Sequence, residues 1–64
     1  MMLTEMVSKL HKLGKGRTRK KAQLLEKYGY KLIDKDEYRM LYFNKQNGSL
    51  YELKYNGKWK KTQR

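Results

Sequence analysis

The chain has 64 residues, enough for one domain with a thin core; 38% of them are apolar, and there is no cysteine or proline. Seventeen Lys and Arg against six Asp and Glu give a net charge of +11. Solubility alone asks for a magnitude of about 2–8, so the excess points to a polyanionic partner. Lack of cysteine excludes disulfides, thiolate zinc sites and thiol chemistry and fits a reducing, cytoplasmic setting.

Leu3, Met6, Val7, Leu10 and Leu13 recur at helical spacing and predict a first helix over residues 4–13. Thr4 is its candidate N-cap, and Glu5, Lys9 and Lys12 sit at the ends the helix dipole prefers for each sign. Gly14 stops it, because glycine takes the left-handed C′ conformation without a Cβ penalty. Gly14-Lys15-Gly16-Arg17 is a flexible basic connector, and Thr18 is the candidate N-cap of a second helix that runs to about Tyr28 and ends at Gly29. Lys21, Leu24, Leu25 and Tyr28 lie along one side of it.

From Tyr30 the pattern alternates, predicting strands over 30–33, 38–43, 50–55 and 58–62. Asp34-Lys35-Asp36 and Gln46-Asn47-Gly48 read as turns, and Asn56-Gly57 as a two-residue hairpin with positive φ at both positions. The expected fold is α+β: two N-terminal helices packed on a small antiparallel three- to four-stranded β-meander, one domain over 1–64 with a flexible tail at 62–64. A three-residue loop at 46–48 would pair Phe43 with Tyr51, Leu41 with Leu53 and Arg39 with Tyr55. That register puts Leu41, Phe43, Tyr51, Leu53 and Tyr55 on the core face, under Leu10, Leu13, Leu24, Leu25 and Tyr28. The open face then carries Tyr38, Met40, Tyr42, Leu50, Glu52 and Lys54, with Trp59 and Lys61 joining them.

Two segments stand out as candidate binding sites. Lys15, Arg17, Arg19, Lys20 and Lys21 surround two glycines and the start of the second helix, where the dipole and unpaired N–H groups disfavour cations and welcome anions. A phosphate docked there turns an unfavourable placement into a favourable one. The string is not a Walker loop, since no strand precedes it and the final Gly-Lys-Ser/Thr spacing is missing. Lys58, Trp59, Lys60 and Lys61 form the second segment, in which a tryptophan among lysines suits base stacking beside backbone contacts. Tyr42, Tyr51 and Tyr55 are weaker stacking candidates, better read as core residues, and His11 reads as a helix-surface residue.

No longer apolar run than Met40-Leu41-Tyr42-Phe43 occurs, far short of a spanning helix, and the start has no apolar stretch like that of a signal peptide. One histidine and scattered carboxylates supply neither a metal-ligand set nor a nucleophile–base pair, so no metal, cofactor or catalytic residue is expected. Residues 24–53, with a helix, Gly29-Tyr30 and three strands, resemble in pattern the α-β-β-β part of small HicA-type toxins and of double-stranded-RNA-binding folds. Tyr38, Arg39 and Met40 stand where those toxins carry a strand histidine. Two helices, a basic link and a hairpin also suit a winged helix-turn-helix, although the link is loose and a third helix is lacking. The expectation is a small non-enzymatic nucleic-acid-binding protein, for DNA or RNA. The alternative is a phage or mobile-element protein that docks its basic surface on an acidic host protein.

Overall fold

A computed structural model describes residues 2–62, with side chains placed from Glu5 onward. Two helices precede a four-stranded antiparallel sheet: α1 Met2–Leu13, α2 Thr18–Lys27, β1 Lys31–Lys35, β2 Arg39–Phe43, β3 Leu50–Lys54 and β4 Trp59–Thr62. The strands are ordered β1-β2-β3-β4, a plain meander, so the expected α+β architecture is the observed one. Helix α1 starts at Met2, which leaves Thr4 inside it rather than at its cap. Thr62 closes β4 opposite Leu50, and the rest of the expected tail, Gln63 and Arg64, lies outside the described residues.

Helix α2 ends in a Schellman closure. Gly29 donates its N–H to Glu26 O at 3.0 Å and Tyr30 donates to Leu25 O at 3.0 Å. The closure turns the chain straight into the core, where Tyr30 and Leu25 are both fully buried. Met6 and Leu10 of α1, Leu25 of α2, Tyr30, Tyr42, Tyr51 and Leu53 form that core, with Met40 and Trp59 packed at its margin. Tyr30 meets Tyr51 edge to face, ring centroids 5.3 Å apart. Burial pushes the Tyr42 and Tyr51 hydroxyls above their ordinary range.

The sheet register differs from the expected one by a single residue, which exchanges faces. Tyr42 pairs with Tyr51, Met40 with Leu53 and Phe43 with Leu50. Tyr42 and Met40 therefore point toward the helices, while Leu41 and Phe43 go to the far side. Tyr51 and Leu53 face the core as expected, and Tyr55 is exposed in the turn beyond β3. Asn44 causes the slip. Its Oδ1 accepts from Gln46 N at 2.8 Å and its Nδ2 donates to Tyr28 O at 3.1 Å, while Asn44 N donates to Ser49 O. The loop is thus four residues long, 45–48, and is tied to the end of α2.

The β3–β4 hairpin shifts in the same way. Lys54 N donates to Lys58 O at 2.7 Å and Gly57 N to Lys54 O at 2.9 Å, enclosing three residues in which Gly57 alone has positive φ. Trp59 consequently faces Leu53, on the helix side, and not Lys54. Leu41, Phe43 and Leu50 line the opposite face beside an Arg39–Glu52 ion pair at 2.8 Å.

Candidate functional site

Three contacts bring the connector 14–17 onto the β3–β4 turn, about forty residues away in sequence. Thr18 Oγ1 donates to Tyr55 O at 2.7 Å. Lys21 Nζ donates to Gly14 O at 2.6 Å and to Gly57 O at 2.7 Å. Gly57, at φ 94°, lies so near Gly16 that a Cβ there would fall 2.6 Å from the Gly16 carbonyl carbon. These contacts correct two expectations. Thr18 is the first residue of α2 and spends its hydroxyl on the hairpin, so Arg17 is the N-cap, in the left-handed region at φ 53° and with no side-chain cap. Lys21 is buried, at 3% exposure, as a pin between connector and hairpin and does not stand among the exposed cations.

Between the connector and the hairpin lies a cleft of about 630 Å³, walled by His11, Lys15, Lys21, Asn56, Lys58, Trp59 and glycine backbone. His11 and Trp59 meet edge to face at 5.1 Å, and Trp59 leans on Tyr51 at 6.0 Å. Trp59 is half-buried: it closes one end of the core and also forms a wall of the cleft.

Lys15, Arg17, Arg19, Lys20, Lys58, Lys60 and Lys61 are all exposed. None is neutralised by a carboxylate among the described residues, where the ion pairs are Lys9–Glu5, Arg39–Asp36 and Arg39–Glu52. The first turn of α2 contains no acid. Lys15 and Lys58, far apart in sequence, meet at the cleft. Lys20 turns into the groove between the helices, where Lys9, Lys12 and Lys27 surround Leu13 and Leu24. Alternation along β4 separates the last two lysines: Lys61 sits opposite Tyr51 on the helix side, and Lys60 opposite Glu52 on the far side. The C-terminal segment therefore contributes Lys58 and Trp59 to the cleft rather than a continuous basic track.

Two groups of residues escaped the sequence reading. Lys9, Lys12 and Lys27 extend the basic surface along the helix groove. Their helical spacing was visible, but the side of each helix left uncovered was not. His11 joins the cleft only through its contact with Trp59, which no local pattern announces. No group of three or more His, Asp or Glu side chains gathers as a metal site among the described residues. No described helix is long and apolar enough to cross a membrane. Comparison with protein-family models, curated proteins and solved structures gives no match to this chain.

Proposed function

We propose that this protein is a non-enzymatic nucleic-acid-binding module that grips the phosphate backbone. The observation that carries the reading is the collection of exposed, unneutralised cations from two distant segments around one uncapped helix start. Lys15, Arg17, Arg19, Lys20 and Lys58 are the phosphate contacts, and the lysines of the helix groove extend the field. Phosphate contacts set position rather than sequence preference, so binding is driven by backbone and shape.

If about five phosphates are neutralised, log affinity falls with a slope near −4.5 in log salt, on the order of 500-fold between 50 and 200 mM. Fluorescence anisotropy with single-stranded DNA, duplex DNA and RNA measures that slope. Charge reversal at Arg17, Arg19 and Lys20 abolishes tight binding and flattens it. A salt-independent affinity in the wild type removes the reading. So does retention of one stoichiometric acidic protein from nuclease-treated lysate with no affinity for any of the three nucleic acids.

A further inference from the structure

Lys21 has no counter-ion among the described residues. Its side chain is 3% exposed, and no carboxylate among the described residues pairs with it. An ammonium carries three N–H donors, and only two are used, on the carbonyls of Gly14 and Gly57. Buried charges ordinarily have an opposite charge beside them, because hydrogen bonds to neutral carbonyls replace only part of the lost hydration. Its backbone lies in the first turn of α2, while its ammonium meets the Gly14 carbonyl just past the end of α1. The residue lines the cleft, so one wall carries an ammonium that no described carboxylate pairs, with a donor to spare.

The other walls narrow the choice of anion. Lys15 and Lys58 stand exposed at the cleft and add two more cations. Trp59 and His11 present aromatic surface, and Asn56 and the glycine backbone at 14, 16 and 57 complete the lining. The volume, about 630 Å³, falls in the roughly 300–1,000 Å³ range of small-molecule sites. A phosphate joined to a planar ring satisfies both kinds of wall. A base held in a duplex stack cannot lie against Trp59. We infer that the cleft seats one unpaired nucleotide, its phosphate drawn to Lys21, Lys15 and Lys58 and its base laid against Trp59. The inference rests on the nucleic-acid reading above and names the part of the nucleic acid this site takes.

The sole tryptophan reports on the site directly. Wild-type protein is titrated with AMP, adenosine, inorganic phosphate, a single-stranded oligonucleotide and the corresponding duplex while Trp59 emission is followed. AMP and the single strand quench it. AMP binds roughly tenfold or more tightly than either adenosine or phosphate, the factor expected when stacking and charge act together. The double variant Lys15→Gln/Lys58→Gln, confined to exposed residues, lowers AMP affinity by a similar factor with unchanged circular dichroism. AMP raises the melting temperature of wild type but not of Lys21→Met; should that variant fail to fold, the exposed pair alone decides.

Steeply salt-dependent binding of both oligonucleotides with unaltered Trp59 emission overturns the nucleotide seat and leaves the phosphate grip standing. Phosphate binding as tightly as AMP, without quenching, also overturns it. No binding of any nucleic acid removes both.

Discussion

Replacing Gly57 by alanine tests the contact on which the site depends. Two costs add. The residue sits at φ 94°, where a Cβ costs about 1 kcal/mol. The new methyl also drives into the backbone of Gly16, its carbonyl carbon 2.6 Å away. Overpacking of this kind costs about 1–3 kcal/mol, toward the upper end here because backbone cannot swing aside like the tip of a side chain. Gly14→Ala is the control: its φ is 76°, but nothing lies within 4 Å of an added Cβ, so only the backbone cost of about 1 kcal/mol applies. At about 0.05–0.15 kcal/mol per residue, 64 residues hold about 3–10 kcal/mol in all. Gly57→Ala, at about 3–4 kcal/mol, removes a third or more of that.

Thermal melting followed by circular dichroism separates the two variants. A loss of 1 kcal/mol lowers the melting temperature of a domain this small by about 4–8 °C. Gly14→Ala falls by that amount and Gly57→Ala by roughly three times as much. Below its melting temperature, Gly57→Ala also binds nucleic acid more weakly than Gly14→Ala, because the turn is pushed off the connector and the cleft opens. Equal melting temperatures for the two variants would refute the packing of turn against connector.

Arg17→Asn raises stability by about 0.5–1 kcal/mol, since asparagine tolerates the left-handed region, and lowers the salt slope of nucleic-acid binding by about 0.9; melting and anisotropy on one sample test both signs. Asp36 accepts backbone N–H bonds from Tyr38 at 2.7 Å and Arg39 at 3.0 Å, which hold its carboxyl below the ordinary value of 3.8. A folded value below the unfolded one means its contribution is complete above about pH 4 and is lost as pH falls through the lower folded value, so the stability gap between wild type and Asp36→Asn closes on acidification in urea titrations. Arg39→Met lowers the urea midpoint more than Glu52→Leu, because the first leaves a buried carboxylate without its partner and the second removes that charge beside Leu41.

Helical spacing and the shift to alternation at Tyr30 are local, and they placed all six elements within two residues. Register is not local. Pairing Phe43 with Leu50 rather than Tyr51 turns on whether the loop has three residues or four, and Asn44 decides that by bonding Gln46 N and Tyr28 O. The sequence reading placed the turn at Gln46-Asn47-Gly48 and passed over Asn44, whose tie to Tyr28 O needs the tertiary fold. The exposed cations could be named from sequence because length and charge alone keep Lys and Arg at the surface. The burial of Lys21 was missed for the same reason: an ammonium that reaches two backbone carbonyls across the domain looks, in sequence, like its neighbours Arg19 and Lys20.

Three features that lower stability coincide at the start of α2. Among the described residues Arg17 is the one non-glycine residue at positive φ, the first turn is basic and uncapped, and Lys21 is buried with no carboxylate paired to it. The first two could each be relieved by one substitution, asparagine at 17 or an acid at 19. Independent defects scattered over a fold need no common cause, but three at one place, two of them electrostatic costs that a bound anion reverses, call for one. A phosphate backbone crossing this point meets Lys21 in the cleft wall and the exposed Arg17 and Arg19 beside the first-turn N–H groups. A chain carrying Arg17→Asn and Arg19→Glu is then more stable than wild type when free and loses that advantage once saturating single-stranded DNA is added.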